Sequence, residues 1–244
     1  SRAGHAVQLW DPKPEAAEGA RAWHDLESSR DGRGGATVTV CDTLADAVRG
    51  VDWVQENGPE ALDAKRTIFA AIDAAASPGA ILASSTSAID MTEIARDLPG
   101  AHRCIVAHPV NPPHVIPAVE VLGGASTSDA TRDRTIAMLR AVGQVPVVLR
   151  RYVPGFLLNR LQVALLREAI ALVESGVAGV DEVDAVVREG LGLRWALMGP
   201  FGVANTNADG GVREYLTRFG GSIRGFDANA FFEPGADLQL SLLA

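Results

Sequence analysis

The sequence predicts an α/β fold in which a doubly wound parallel sheet is followed by an all-α C-terminal domain. In the first two-thirds of the chain, short β-branched runs alternate with stretches of helical periodicity. This alternation is typical of parallel strands joined by crossover helices. The strand pattern then stops, and only helical patterns follow. These observations predict two domains, residues 1–152 and residues 153–244.

The predicted sheet is built from short apolar runs rich in β-branched residues. They lie at Val7–Trp10, Thr37–Val40, Asp52–Gln55, Ala80–Ala83, Cys104–Ala107 and Val145–Leu149. The helices between them are predicted at Pro14–Leu26, Pro59–Ala75, Met91–Leu98 and Asp129–Val142.

The second domain begins with a strongly apolar segment. Phe156–Ser175 is apolar on almost every face, which predicts a helix buried in a helical domain or at a subunit interface. We therefore expect this domain to form a homodimer. A second helix is predicted at Val180–Arg188, and a less regular region begins at Gly192. Residues 222–244 show no clear period, and no structure is predicted for them.

The composition is that of a globular protein with a substantial core, since 47% of the 244 residues are hydrophobic. The net charge of -8 excludes the basic surface that nucleic acids and anionic membranes require. The two cysteines, Cys41 and Cys104, form neither a disulfide framework nor a metal-ligand spacing. The sequence has no uninterrupted apolar span of about 18 residues and no signal segment. We expect a cytoplasmic protein that binds no metal.

An imidazole and a carboxylate stand out in this apolar chain. His108 follows the apolar run 104–107, at the carboxyl end of a predicted strand, where open α/β sheets bind ligands. Glu120 lies in a second apolar run, where an unpaired carboxylate is costly to bury. Paired with Glu120, His108 would keep one ring nitrogen free to take a substrate proton. The alternative is a structural histidine at a strand end, with Glu120 on a solvated edge.

Asp11 follows the first predicted strand, where Rossmann-type folds hold the ribose hydroxyls of a dinucleotide with an acidic residue. In such folds, a strand and a Gly-x-Gly-x-x-Gly loop that cradles the pyrophosphate come before this residue. The chain contains no such loop. Either the sequence starts after the loop, or the chain has lost it. Because Asp11 precedes a proline, it is also a typical turn residue.

Four motifs occur together along the chain. They are Ser84-Ser85-Thr86-Ser87, His108-Pro-Val-Asn111-Pro, Val119-Glu120 and Pro154-Gly155-Phe156-Leu157-Leu158-Asn159-Arg160. On these motifs the chain resembles the 3-hydroxyacyl-CoA dehydrogenase family over residues 4–219. The segments Asn159–Gln162 and Gly190–Trp195 make it most similar to the branch that contains L-gulonate 3-dehydrogenase and lambda-crystallin. Carnitine dehydrogenase and aromatic-polyketide ketoreductases are neighbours of that branch.

The resemblance implies a role for each matched residue. It makes His108 the catalytic base, oriented by Glu120, while Ser87 and Asn159 hold the substrate oxygen. It also implies NAD as the cofactor, bound by Asp11, Glu60, Lys65, Ser87 and Asn111. The implied reaction oxidises a 3-hydroxyl to a 3-keto group, with the hydride passing to NAD.

Several of these residues also have an ordinary structural explanation. Asn159 would serve as a first-turn cap of its helix. Ser87 would serve as the N-cap of the helix that starts near Asp90. Glu60 and Lys65 would be solvated residues of an amphipathic helix. The residues alone leave both readings open.

The substrate prediction depends on one cation and one short segment. Arg194 precedes Trp195 in a Gly-rich turn, and we predict that it binds the carboxylate of a free hydroxy acid. The alternative is an arginine packed on an aromatic ring or bonded to a helix end. The segment Ser28–Gly35 stands where CoA-using relatives have a helical hairpin that covers the thioester, so we predict that this hairpin is missing or disordered. This difference favours a small acid.

L-gulonate is the first candidate substrate, and 3-hydroxybutyryl-CoA of fatty-acid metabolism is the alternative. Two further possibilities stay open, a polyketide ketoreductase and a catalytically silent structural protein of the lambda-crystallin kind. We expect no partner besides the small-molecule substrate and a second copy of the chain.

Overall fold

The computed structural model describes residues 3–31 and 36–226. The chain divides into two compact units, with the boundary between Arg160 and Leu161. The first unit holds all the described strands, and the described part of the second unit is helical. The domain boundary that we predict, after residue 152, lies slightly earlier, between the last strand and the long helix that follows.

The described strands form two sheets. They are β1 (Val7–Leu9), β2 (Val38–Val40), β3 (Trp53–Glu56), β4 (Ile81–Ser84), β5 (Cys104–Pro109), β6 (Ala118–Gly123) and β7 (Val145–Val148). β1 and β2 form a two-stranded parallel sheet, and β3 to β7 form a five-stranded sheet in sequence order. The predicted α/β class, with a helical C-terminal part, is confirmed.

One strand departs from the prediction of a wholly parallel sheet. β6, which carries Glu120, is not among the predicted strands, and it pairs with β5 in antiparallel orientation. The other ladders of this sheet are parallel. The connection 110–117 between β5 and β6 is shorter than the dozen or so residues that a parallel crossover needs, so the chain has to return in the opposite direction.

The described helices pack beside the two sheets or lie in the second unit. They are α1 (Pro14–Asp31), α2 (Leu44–Val48), α3 (Leu62–Ala75), α4 (Met91–Ile94), α5 (Asp129–Ala141), α6 (Leu158–Glu174), α7 (Val180–Ala185), α8 (Leu193–Leu197), α9 (Pro200–Thr206) and α10 (Gly211–Phe226). A 3-10 turn at Ala101–Arg103 precedes β5, and a π-helical turn at Val186–Gly192 joins α7 to α8.

Several helices differ from the prediction. α1 extends to Asp31 rather than Leu26, α4 ends at Ile94 rather than Leu98, and α2 is not among the predicted helices. α2 is too short to show a helical period, and Thr43 caps it by accepting a hydrogen bond from the amide of Asp46. α3 begins at Leu62 rather than at Pro59, which leaves Glu60 in the connection before the helix.

The core lies on both faces of the five-stranded sheet. Phe69 of α3 and Met91 of α4 belong to the cluster that contains Val106, and Leu139 of α5 belongs to the cluster that contains Ile105. Val106 and Ile105 are neighbours on β5 and are fully buried. Burial on both faces is typical of central strands in α/β proteins. This packing fixes the sheet edge at which β5 ends.

The second unit leaves much apolar surface exposed. No residue of α6 is buried, and Leu161 is 68% exposed. Of the two predicted alternatives, burial within the helical domain is wrong for the described residues, because the other described helices do not enclose α6. The exposed face is compatible with the predicted subunit interface, which stays a prediction.

Two predicted features fall partly outside the described residues. Residues 28–31 belong to the end of α1, whereas residues 32–35 of the predicted missing hairpin are not described. Residues 222–226 end α10, and residues 227–244 are not described. None of the described helices combines the length and apolar character needed to cross a membrane.

Candidate active site

Three neighbouring parallel strands, β3, β4 and β5, end at the same edge of the five-stranded sheet. Ligands of open α/β sheets bind at the carboxyl ends of the strands. A cavity of about 290 Å³ lies at this edge, lined by Asn57, Ser85, Ser87, His108, Pro109 and Asn111. The sheet topology therefore brings together three of the predicted site residues, Ser87, His108 and Asn111.

Three of the cavity residues, Asn57, Ser85 and Pro109, are not among the predicted site residues. Asn57 directly follows β3, and Ser85 directly follows β4. Both positions are the first residue after a parallel strand of the five-stranded sheet. The predicted strands end one residue earlier, at Gln55 and Ala83, so their ends would have indicated Glu56 and Ser84 instead.

His108 and Glu120 are directly paired residues of the antiparallel β5–β6 ladder. Side chains at opposed positions of such a ladder lie on the same face, close enough to bond. The Nδ1 atom of His108 lies 2.9 Å from Oε2 of Glu120, and both side chains are largely buried. The predicted pairing of these residues is present. Nε2 of His108 makes no hydrogen bond with any described residue, so it is available at the cavity.

The second carboxylate oxygen of Glu120 is held by the start of α6. Oε1 accepts hydrogen bonds from the amides of Leu157 and Leu158, at 2.8 Å and 3.0 Å. The first amides of a helix have no partner within the helix and attract negative charge. With each oxygen hydrogen-bonded, the cost of burying the carboxylate is offset. Sequence reasoning missed these donors, although the Pro154-Gly155 turn marks the place where a helix starts.

Phe156 connects this helix start to the imidazole. Its side chain is fully buried, and its ring centroid lies 5.9 Å from that of His108 in an edge-on arrangement. Its φ angle of 50° lies in the left-handed region, which costs a non-glycine residue about 1–2 kcal/mol. Gly155, with φ of 77°, also lies there. These two residues turn the chain so that the amides of Leu157 and Leu158 meet Glu120.

The turn after β4 is held by Glu60. Its Oε1 atom accepts hydrogen bonds from the Thr86 hydroxyl at 2.6 Å and from the amides of Ser87 and Ala88 at 3.0 Å and 3.1 Å. Partial burial raises the pKa of the Glu60 carboxyl, but these hydrogen bonds and the charge of Lys65 lower it more. The net pKa is below its ordinary value, so Glu60 is ionised near neutral pH. Ser87 does not cap α4.

Asp90 is the N-cap of α4, since its carboxylate accepts a hydrogen bond from the amide of Thr92 at 2.9 Å. The alternative role that we considered for Ser87 is therefore filled by another residue. Ser87 instead lines the cavity.

Lys65 is buried, contrary to the alternative of a solvated helix residue. Its Nζ atom lies 3.0 Å from both carboxylate oxygens of Glu56 and 3.3 Å from the carbonyl oxygen of Gly58. Its side chain is 1% exposed. A lysine ammonium has three donors, and these contacts use them all. The structure therefore does not bring the Lys65 ammonium to the cavity surface.

Asn159 lies in the first turn of α6, directly after Leu158, whose amide binds Glu120. Its side chain is half-buried and makes no hydrogen bond with any described residue. It does not act as a helix cap, because α6 has already begun at Leu158. The carboxamide of Asn159 is therefore available for an external partner.

Two predicted residues lie elsewhere in the described chain. Asp11 follows β1, and its carboxylate accepts a hydrogen bond from the amide of Lys13 at 2.8 Å, as a turn residue does. Arg194 lies in helix α8 of the second unit, and not in a Gly-rich turn. It is exposed and makes no ion pair with any described residue. Neither residue is among those that line the cavity.

The residues at the sheet edge fit the nicotinamide end of a dinucleotide. The cavity offers the Ser87 hydroxyl and the carboxamides of Asn57 and Asn111 beside His108. Asp11, two residues beyond the end of β1, offers a carboxylate suited to a ribose diol. The chain has no Gly-x-Gly-x-x-Gly loop for the pyrophosphate.

Comparison with known proteins connects this site to one family. Residues 1–152 match the family model "3-hydroxyacyl-CoA dehydrogenase, NAD binding domain", and residues 155–230 match the C-terminal domain of the same family. L-carnitine dehydrogenase of Streptomyces griseus is 42% identical over 228 residues, which are 90% of this chain and 68% of that protein. Lambda-crystallin of Oryctolagus cuniculus is 39% identical and covers 88% of this chain and 71% of its own.

Solved structures of the same architecture agree with this assignment. The NAD-dependent dismutase 5-formyl-3-hydroxy-2-methylpyridine 4-carboxylic acid 5-dehydrogenase has a TM-score of 0.82 and 33% identity, covering 96% of this chain and 77% of its own. The 3-hydroxyacyl-CoA dehydrogenase of Archaeoglobus fulgidus has a TM-score of 0.78 and 28% identity, covering 99% of this chain and 80% of its own. The chain thus belongs to the 3-hydroxyacyl-CoA dehydrogenase family and is an NAD-dependent oxidoreductase that acts on a hydroxyl group.

Proposed function

We propose that this chain oxidises the 3-hydroxyl of a small hydroxy acid to a 3-keto group, with His108 as the proton acceptor. The observation that supports this proposal is the His108–Glu120 pair at the sheet edge. Nδ1 is held 2.9 Å from the Glu120 carboxylate, and Nε2 has no described partner beside the cavity. One ring nitrogen is thus engaged and the other is available for a substrate.

The proton step follows from the tautomer of His108. A carboxylate only accepts hydrogen bonds, so the contact with Glu120 requires the imidazole proton on Nδ1. Nε2 then carries the lone pair that takes the proton of the substrate hydroxyl. The Glu120 charge stabilises the imidazolium that results. NAD, when bound, supplies the hydride acceptor.

The substrate oxygen needs donors of its own as it becomes a carbonyl. We assign this role to Ser87, which lines the cavity, and to Asn159, whose carboxamide has no described partner. Removal of one such donor commonly costs about 3 kcal/mol of transition-state stabilisation. Reduction follows the same steps in reverse, with His108 as the proton donor.

L-carnitine is the first candidate substrate, because several of the similar curated proteins are L-carnitine dehydrogenases at 38–42% identity. Carnitine is a short 3-hydroxy acid, in agreement with the class predicted from the sequence. L-gulonate, the first candidate of the sequence prediction, keeps the support of the lambda-crystallin similarity only. A 3-hydroxyacyl-CoA, which would place the chain in fatty-acid metabolism, has the support of the family description.

A structural role is the second candidate function, because lambda-crystallin is among the similar proteins. The buried His108–Glu120 pair favours the enzyme over this role. A protein selected for packing alone gains little from burying a carboxylate beside an imidazole, since apolar residues of the same volume cost less.

Three further features belong to the proposal. Arg194 binds the substrate carboxylate, and Asp11 binds the ribose and disfavours the 2′-phosphate of NADP. The exposed apolar residues of the second unit form a homodimer interface. The protein acts in the cytoplasm.

The substrate is tested by the rate of NADH formation from NAD with L-carnitine, L-gulonate or 3-hydroxybutyryl-CoA. The proposal expects turnover of at least one free acid, and an Arg194→Leu variant should raise the KM for that acid while the Kd for NAD stays unchanged. Turnover of the thioester alone would replace the small-acid proposal with a 3-hydroxyacyl-CoA substrate. Binding of NAD with no turnover of any of the three would favour the structural role.

A further inference from the structure

The turn 84–88 after β4 carries Ser87, and two glutamates hold every residue of this turn. Glu56 accepts hydrogen bonds from the Ser84 hydroxyl at 2.6 Å, through its carboxylate, and from the Ser85 amide at 2.9 Å, through its carbonyl oxygen. Glu60 accepts the hydrogen bonds from the next three residues that are described above. The turn therefore has little freedom unless one of the two glutamates is removed.

We propose that Glu60 is a positioning residue that sets the place of Ser87 in the cavity, and that the buried Lys65–Glu56 pair holds Glu60 in turn. This inference rests on the proposed function, in which Ser87 binds the substrate oxygen. It gives Glu60 and Lys65 a task different from the direct cofactor contact that the family resemblance implies.

Glu60 contacts the backbone amide of Ser87 more closely than it contacts the Ser87 hydroxyl. The Ser87 amide lies 3.0 Å from Oε1 of Glu60, whereas the Ser87 hydroxyl lies 3.4 Å from the same atom. The amide contact has normal hydrogen-bond length, and the hydroxyl contact is at the long limit. Glu60 thus fixes the backbone of Ser87 and leaves the hydroxyl able to turn towards a substrate oxygen.

Lys65 links the two glutamates. Its Nζ atom contacts both carboxylate oxygens of Glu56 at 3.0 Å and lies 3.7 Å from Oε2 of Glu60. Lys65 and Glu56 are both at least 98% buried, whereas the side chain of Glu60 is 42% exposed. A buried, fully paired ammonium has one fixed position, and its charge draws Oε2 inwards. Oε1 then stays directed at the turn.

The first test measures the turn itself and needs no substrate. Amide hydrogen exchange at Ser87 should become at least about tenfold faster in Glu60→Ala, because its acceptor is lost. Exchange at Ala88 should rise less, since its amide also contacts the Thr86 hydroxyl at 3.4 Å. Slow exchange should be restored in part in Glu60→Gln, which keeps a carbonyl oxygen. Glu93→Ala is the matched control, since Glu93 is a partly exposed glutamate whose ion pairs with Arg66 and Arg96 do not involve the turn. Unchanged exchange in Glu60→Ala would overturn the proposal.

The second test separates positioning from cofactor binding. Glu60→Ala should lower kcat by about 10- to 100-fold, the size expected for a misplaced catalytic contact, while the Kd for NAD changes less than twofold. In a Ser87→Ala background the same substitution should lower kcat by much less, because the group that it positions is gone. A raised Kd for NAD, with equal losses in both backgrounds, would assign Glu60 to the cofactor and overturn the inference.

The two tests also keep this inference apart from the proposed function. If the unmodified protein oxidises none of the hydroxy acids, the proposed function fails, and hydrogen exchange still decides whether Glu60 holds the turn. If the protein is active and exchange is unchanged, the positioning role alone fails.

Discussion

His108 and Glu120 face each other directly across the β5–β6 ladder, with Nδ1 and Oε2 2.9 Å apart. The antiparallel direction of β6 makes this possible, because it places a residue from the middle of one strand opposite the carboxyl end of its neighbour. Glu120 in turn binds the amides that start α6. The β5–β6 ladder and the start of α6 therefore both hold the His108–Glu120 pair in place. The Glu120 carboxylate sets the tautomer of the imidazole.

A Glu120→Gln substitution should lower kcat by about 10²- to 10⁴-fold, the range associated with a general base. The glutamine oxygen would still accept the hydrogen bonds from the amides of Leu157 and Leu158, so the NH₂ group of the glutamine would face Nδ1 of His108. Nδ1 would then have to accept a hydrogen bond, and the ring proton would move to Nε2. There it would block the uptake of the substrate proton. Steady-state kinetics checks this, with the Kd for NAD as the internal control. A kcat within twofold of the unmodified protein would contradict the assigned tautomer.

A Phe156→Leu substitution should lower kcat by about tenfold, because the ring edge that restrains His108 is lost while most of the apolar volume remains. Phe69→Leu is the matched control, because Phe69 is also fully buried and has no described contact with His108. Equal losses of kcat in the two variants would show that Phe156 acts only through stability.

A Lys65→Met substitution should lower the free energy of unfolding by about 3–5 kcal/mol, because Glu56 would be left buried without its counter-charge. Adding Glu56→Gln should recover much of this loss. The only other lysine, Lys13, is exposed, and Lys13→Met should change the free energy of unfolding by less than about 0.5 kcal/mol. Urea unfolding followed by circular dichroism provides the comparison. Similar losses for both lysines would mean that the pair is not buried.

The two cysteines should differ in reactivity. Burial, with the charge of Asp73, raises the pKa of the Cys104 thiol to about 12, whereas Cys41 is partly exposed. Iodoacetamide at about pH 8 should label Cys41 and spare Cys104 until the chain is unfolded, because the thiolate is the reactive form. The raised pKa of Cys104 also determines how the free energy of unfolding changes with pH. Above pH 9.0 the unfolded chain releases this proton and the folded chain keeps it, so the free energy of unfolding falls as the pH rises towards 12.

Mass spectrometry of the labelled protein measures this difference. Labelling of Cys104 in the folded protein at the same rate as Cys41 would contradict the buried position of β5.

The central strands and the edge at which the site lies could be predicted from sequence, because uninterrupted apolar runs bounded by turns are typical of buried parallel strands. This pattern predicts His108 at the carboxyl end of a strand, whereas the family resemblance implies the role of Ser87. The two residues line one cavity. β6 was missed as a strand because Glu120 interrupts its apolar run. The antiparallel direction of β6 depends on the short connection that follows β5. The hydrophobic periodicity of a sequence does not indicate strand direction.

Other features depend on tertiary contacts that a local pattern does not contain. Lys65 has the spacing of a solvated helix residue, and only the packing of α3 against the sheet brings it to Glu56. The left-handed conformation of Phe156 is imposed by its buried surroundings, since a phenylalanine alone disfavours it. The amides of Leu157 and Leu158 that bind Glu120 are backbone groups, so no side-chain pattern in the sequence indicates them.

The role of His108 is the central claim, and the most direct test compares the unmodified protein with His108→Asn. The measurement is the rate of NADH formation with the preferred hydroxy acid, together with the Kd for NAD in the same preparations. We predict that kcat falls by at least about 10²-fold in the variant, while NAD binds equally well to both proteins. An unchanged kcat in His108→Asn would contradict the account, because the proton would then be taken by another group.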